Sequence, residues 1–192
     1  MKKSFLTAAL VVAGLVAIPS ITSAATTSSS GTLTINGVVT GSTCTVVINN
    51  GTANATVTLP TVSTTELGAA GDTAGWTAVT FSFSGCTLSG NNSSGTAITS
   101  VLPYFQQGST TSSDGNLLNS AGTATGVEVA MSNPAAGGSL IKLNQPIGSQ
   151  NVTASTVSGG KATATYYAGY YATAAAAAGT VSTTVQYDIA YQ

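Results

Sequence analysis

The alternation of apolar and polar positions is longest in the last fourteen residues. Val181, Thr183, Val185, Tyr187, Ile189 and Tyr191 fall on one side of an extended chain, and Ser182, Thr184, Gln186, Asp188 and Ala190 fall on the other. A period of two marks a strand with one face buried. A strand whose apolar face reaches the penultimate residue either tucks into its own sheet or is paired by something else, because termini otherwise fray. A second alternation lies near the other end, with Gly31, Leu33, Ile35, Gly37 and Val39 on one face and Thr32, Thr34, Asn36 and Val38 on the other. Glycine weakens a strand interior and often marks close backbone approach, which singles out Gly31. Taken by itself, this stretch fits an ordinary first strand.

Between the two ends, apolar runs alternate with turn signals at the rhythm of a β-sandwich. Strands are predicted over 44–48, stopped by Asn49-Asn50-Gly51, and over 55–59, ended by Pro60. Residues 61–75 are small and polar and read as a loop. A strand over 76–83 should turn Val79, Phe81 and Phe83 inward, and further strands are expected over 97–105, 126–131, 140–143 and 162–171. The polar segment 106–125 reads as a connection. Residues 174–178 are strong helix formers, but five residues closed by Gly179 are too few for an independent helix. No internal repeat and no second domain is visible.

The first residues add a destination. Lys2 and Lys3 precede an uncharged apolar run over 5–18, then Pro19 and the small-residue sequence Thr22-Ser23-Ala24-Ala25. This predicts a signal peptide over 1–24, with cleavage after Ala24 or Ala25. The run is too short to favour a transmembrane helix, so no membrane span is expected in the mature chain. The remaining chain, about 167 residues, is long enough for one domain with a real core.

Charge is scarce. The mature part keeps Lys142 and Lys161 against Glu66, Asp72, Asp114, Glu128 and Asp188; two cations against five anions give a net charge of −3. Arginine and histidine are absent. A nucleic-acid partner would require a basic footprint that this composition lacks. Thr, Ser, Asn and Gly replace charge on the surface, and threonine favours pleated strands. Composition points to an exported all-β protein.

Candidate chemistry is sparse. Cys44 and Cys86 are the only cysteines, and in an oxidising compartment their simplest state is one structural disulfide. A redox or metal pair fits poorly, because the spacing is far from CxxC and no histidine could join as ligand. The lack of histidine also removes Ser-His and Cys-His dyads, and the five acids are too scattered to suggest a glycosidase pair. Asp114-Gly115-Asn116 lacks the further carboxylates of a calcium loop and reads as a turn. No enzyme, metal or cofactor is expected.

Several of these segments together resemble a known family. The leader, the arm Gly31-Thr-Leu-Thr-Ile-Asn-Gly-Val-Val, Ser42-Thr-Cys44-Thr-Val, Phe81-Ser-Phe-Ser-Gly-Cys86 and the end from Gly179 to Tyr191-Gln192 are similar to a chaperone–usher pilin, most of all a major subunit of type 1 or F17-like fimbriae. Leu59-Pro-Thr-Val, Gly122-Thr-Ala-Thr-Gly-Val-Glu-Val and Tyr166-Tyr-Ala-Gly-Tyr-Tyr-Ala-Thr also resemble such subunits, so the likeness covers the whole chain in order. Ser28 departs from the pattern, standing where many subunits carry an apolar residue.

The resemblance implies an all-β, incomplete immunoglobulin-like sandwich that lacks its final strand. It implies a donor-strand extension over 25–40 and a pilin domain over 41–192. A periplasmic pilus chaperone would lend a strand to the open groove, and the arm of a neighbouring subunit would replace it in the fibre. Leu33 and Ile35 would then be the main anchors of a donor strand that also includes Gly31, Gly37 and Val39. Gly179, Val181, Val185, Tyr187, Ile189 and Tyr191 would receive it, with the Gln192 carboxylate anchored to basic chaperone residues. The further implied partners are an outer-membrane usher, identical subunits in a head-to-tail filament and other fimbrial subunits, on a surface fimbria that supports cell adhesion. Two alternatives stand beside this: a minor or adaptor subunit, and a self-contained secreted sandwich that binds carbohydrate through Trp76 and the tyrosines of 166–171.

Overall fold

The fifteen-residue strand β2 (Thr73–Thr87) is the spine of the larger sheet. Its inward side chains Val79, Phe81 and Phe83 are buried, as their spacing requires. The computed structural model describes residues 32–192. The chain divides into two units, Met1–Ile35 and Asn36–Gln192. Of the first, only residues 32–35 are described; they lie outside any strand and are exposed. The signal-peptide prediction and Gly31 lie outside the described residues.

In the second unit β1 is Thr43–Ile48, β3 Ser100–Phe105, β4 Leu117–Leu118, β5 Val127–Ser132, β6 Leu140–Ile141, β7 Ser155–Thr156, β8 Ala162–Ala172 and β9 Tyr187–Tyr191. The larger sheet runs β1-β2-β8-β5-β4, with β6 also on β5; the smaller runs β7-β3-β9. All pairings are antiparallel. The disulfide Cys44–Cys86 joins β1 to β2, and closing its loop stabilises the fold by roughly 4 kcal/mol in the chain-entropy model.

Size complementarity sets the core. In the β2–β8 register Phe81 faces Ala164 and Val79 faces Tyr166, so large residues on one strand meet small ones on the other. Phe81 is the hub: its ring centroid lies 6.2 Å from Phe105, 5.8 Å from Tyr166 and 5.2 Å from Tyr187, all edge to face. Because Phe105 and Tyr187 belong to the smaller sheet, this one ring joins the two layers. The Tyr166 hydroxyl, inside the core, donates to Thr153 O at 2.7 Å. Strand β8 carries Gly169 because a Cβ there would lie 2.5 Å from the Trp76 ring.

Strand β3 tolerates a proline for a positional reason. Pro103 sits opposite Ile189, between the hydrogen-bonded pairs Ser100–Gln192 and Gln106–Gln186, so its missing N–H faces away from β9. On that far edge the buried Gln150 side chain stands in for a strand: Phe105 N donates to its Oε1 at 3.0 Å, and its Nε2 donates to Phe105 O at 2.5 Å.

Several elements depart from expectation. Residues 55–59 make no ladder, and the terminal strand is confined to Tyr187–Tyr191. Among the described residues, neither segment has a backbone partner on its groove side. Residues 61–75 are not all loop: Thr64–Leu67 form a 3-10 turn capped by Ser63, and β2 begins at Thr73. The segment 106–125 contains β4, and 140–143 shrinks to the two residues of β6. Strand β7 was not expected. Two-residue strands leave no periodicity to read.

Two outcomes follow from this core. Cys86→Ser should destabilise the chain by about 2–5 kcal/mol, measured by denaturant melts; an unchanged midpoint would remove the clamp from the account. Burial drives the Tyr166 phenol upward from its ordinary value. Neutral phenol is therefore favoured in the fold, so stability is fully present below about pH 10 and is lost as pH rises through the alkaline range. Tyr166→Phe should flatten that loss while costing about 1–3 kcal/mol at neutral pH, because Thr153 O loses its donor.

Candidate functional site

One side of the segment 180–192 is satisfied and the other is bare. Ala124 N donates to Thr180 O at 3.0 Å, Ala121 N to Ser182 O at 3.1 Å and Gln106 N to Gln186 O at 2.8 Å. At the end, Gln192 N donates to Ser100 O, and Gln192 O accepts from Thr99 N and Ser100 N. Successive backbone groups of a strand point to opposite edges. The odd-numbered residues therefore aim theirs the other way, and the backbone groups of Val181, Thr183 and Val185 make no hydrogen bond among the described residues. Strand β9 continues this edge, since among the described strands it pairs with β3 alone. The side chains alternate in step, with half-buried odd positions and exposed even ones from 181 to 189.

Opposite this edge runs the extended segment 53–59. Val57 and Leu59 pack on the core, yet the backbone of 55–62 makes no hydrogen bond among the described residues. Between the two segments lies an open groove of about 690 Å³ whose floor includes Phe81, Phe105, Leu117, Val129 and Met131. The groove floor is thus the core itself. Tyr187 crosses the groove at one point, its hydroxyl donating to Ala53 O at 2.6 Å; burial also raises the affinity of this phenol for its proton. An unpaired edge beside an apolar trough can take an added strand, with backbone groups for affinity and alternate side chains for register.

The residues singled out in the sequence do not all share this place. Val181, Val185 and Tyr187 line the groove. Ile189 and Tyr191 lie on the same face and pack on the core beyond it. Gly179 is held against residues 123–124, where a Cβ would collide with the backbone of Ala124. Gln192 is engaged with β3, as above. Cys44 and Cys86 are bonded and clamp the β1–β2 pair. In the arm, Leu33 and Ile35 are each 83% exposed and Val39 is 101% exposed, with Gly37 also exposed. Sequence reading missed the second wall at Val57 and Leu59, whose spacing is that of any strand, and the groove position of Thr183.

Comparison with known proteins agrees with this geometry. The family model for type-1 fimbrial protein, A (FimA) matches residues 59–192, and the chain belongs to this family of fimbrial subunits. It is 38% identical over 172 residues to the F17 fimbrial protein of Escherichia coli, covering 88% of this chain and 92% of that protein. It is 41% identical over 172 residues to the major fimbrial subunit SMF-1 of Stenotrophomonas maltophilia (strain K279a), covering 84% and 92%. Among solved structures, the P pilus rod subunit PapA superimposes with a TM-score of 0.55 at 16% identity, over 78% of this chain and 99% of that one. A chaperone–usher pilus rod structure matches with a TM-score of 0.55 at 17% identity, over 85% and 96%. The fold is the all-β, incomplete immunoglobulin-like sandwich of pilins, and the protein is a structural pilus subunit.

An apolar trough open to water should bind a hydrophobic dye. The purified mature chain is expected to enhance anilinonaphthalene sulfonate fluorescence, and Val185→Asp should suppress most of that signal by placing a charge on the groove's side. Equal dye binding by both proteins would mean that the dye reports another surface.

Proposed function

We propose that this subunit polymerises by donor-strand exchange: residues 25–40 of one copy enter the groove of the next. The observation that carries the reading is the unpaired backbone edge over 181–191 beside an apolar groove that opens onto the core. The arm offers the matching half, an alternating segment whose apolar side chains are exposed. In this reading residues 1–24 are a signal peptide, 41–192 the pilin domain, and a periplasmic chaperone fills the groove until an outer-membrane usher passes the subunit to the growing fibre. The fibre stands on the cell surface and supports adhesion; the subunit's part in it is mechanical, without a catalytic step. A contact in which arm meets groove is head-to-tail and does not close, so repeated addition makes a filament.

The test is the thermal midpoint of the purified mature chain with and without a peptide covering residues 26–40. The peptide should raise the midpoint in proportion to the logarithm of its concentration. Replacing Leu33 or Ile35 by Asp in the peptide should each forfeit about 1.5–3 kcal/mol of binding. A mature chain that melts as a stable monomer, indifferent to saturating peptide, would defeat the proposal.

A further inference from the structure

The sequence holds two Asn-Gly pairs, Asn36-Gly37 and Asn50-Gly51. Such a pair is chemically labile for a reason internal to it. The backbone nitrogen that follows an asparagine can attack that residue's side-chain carbonyl carbon and close a five-membered ring. Glycine presents this nitrogen with no side chain in the way and with wide backbone freedom. Whether the ring closes depends on how firmly the fold holds the nitrogen and the torsions around it.

The two pairs are held very differently. Asn50 sits in the turn after β1 with φ at 61°, and Gly51 N donates to Ile48 O at 2.9 Å. The attacking nitrogen is engaged there and its backbone is fixed. Asn36 and Gly37 are exposed and outside any strand, and their backbone makes no hydrogen bond among the described residues. Nothing lies within 4 Å of where a Gly37 Cβ would be, so nothing obstructs closure.

We propose that Asn36 is a site of spontaneous deamidation, and that the product disables an arm that has not been seated. Gly37 N bonds to Asn36 Cγ as the bond from Cγ to Nδ2 breaks. The Nδ2 group leaves as ammonia, carrying the proton that Gly37 N gives up. Water then opens the succinimide at either of its two carbonyl carbons, leaving aspartate or isoaspartate at position 36. Water is the only co-reactant.

The consequence for the arm rests on the donor-strand reading above. Asn36 lies on the arm's polar face, so a charge there costs little. Isoaspartate does more, because it routes the main chain through the side-chain carbon and adds a backbone atom between Ile35 and Val39. A strand with such an insertion breaks its ladder and its alternation, as a bulge does. Ile35 and Val39 can then no longer both face the groove. A seated arm is the opposite case: pairing holds its backbone extended and its amide nitrogens engaged, so the ring cannot close. Assembly thereby protects the site, and only unused arms age.

The test begins with purified mature chain held at mildly alkaline pH, then digested and mapped by mass, with isoaspartate detected by enzymatic methyl transfer. The fragment holding Asn36 should gain about 1 Da. It should convert about tenfold faster than the fragment holding Asn50. A peptide covering residues 26–40 should convert about tenfold more slowly when saturated with mature chain than when free. In the thermal-midpoint assay, that peptide with isoaspartate at position 36 should bind about tenfold more weakly than wild type, while Asn36→Asp stays within about threefold. Asn36→Gln forms a larger ring far more slowly and should keep its binding after the same incubation. Equal rates at Asn36 and Asn50 would overturn the site. Undiminished binding by the isoaspartate peptide would overturn the disabling of the arm. Failure of the unmodified peptide to bind would instead strike the donor-strand reading, while the two rates still decide whether Asn36 is the labile residue.

Discussion

The backbone of residues 181–191 has one edge with a ladder and one without, and most of what distinguishes this chain follows from that asymmetry. Val181, Thr183 and Val185 leave their N–H and C=O groups without partners among the described residues, while the side chains of Val181 and Val185 half-cover the core. Water can satisfy the backbone groups of an open edge, but it cannot make the apolar trough beside them favourable. The two requirements point the same way. Only an extended segment with alternating apolar side chains answers both at once, since it brings a ladder on its edge and anchors on its face. Proteins ordinarily blunt such edges with charge, proline or a bulge. Here the even-numbered residues are polar as far as Asp188, the odd-numbered ones apolar except Thr183, and Asp188 is the single charge in the segment, facing away with its Oδ2 on Gln106 Nε2 at 2.6 Å.

The groove is continuous with the core, which couples assembly to stability. Phe81 touches Tyr187 on the wall as closely as it touches Tyr166 in the interior. A strand seated above it would complete a packing layer rather than add a patch to a finished surface. Domains of this size are stable by about 5–15 kcal/mol. Two anchors contributing about 1.5–3 kcal/mol each are therefore a large fraction of the whole. Under the proposed exchange, a subunit without an occupant is poorly stabilised and one with an occupant is not. The disulfide between β1 and β2 stabilises the fold without relying on the groove being full.

The sequence was most legible where burial has a period and least legible where structure depends on a neighbour. Val79, Phe81 and Phe83 alternate in the chain and are buried in the fold, and both edges of β2 have partner strands within the same molecule. The segment 55–59 has the same alternation, and Val57 and Leu59 do turn inward, yet no strand forms. Periodicity reports which side faces the core; it does not report whether the adjacent edge is occupied. The terminal segment divides for the same reason, forming a strand over 187–191 where β3 runs alongside and remaining extended but unassigned over 180–186. Trp76 illustrates a different limit. An isolated tryptophan in a polar surface suggests a sugar platform, but its ring packs over Gly169, a contact no local pattern encodes.

The shortage of charge belongs to the same design. Lys142 directs its Nζ to the carbonyl of Asp114 at 2.9 Å rather than to a carboxylate, and the groove-lining residues carry no charge at all. Attraction between ions would weaken with salt and change with pH. Apolar burial and a backbone ladder do neither across the range between carboxylate and phenol ionisation. A subunit of a surface pilus, exposed to uncontrolled ionic strength and pH, gains by keeping carboxylates and amines away from the groove. Under the proposed exchange, the fit of that joint would then rest on shape and on uncharged hydrogen bonds.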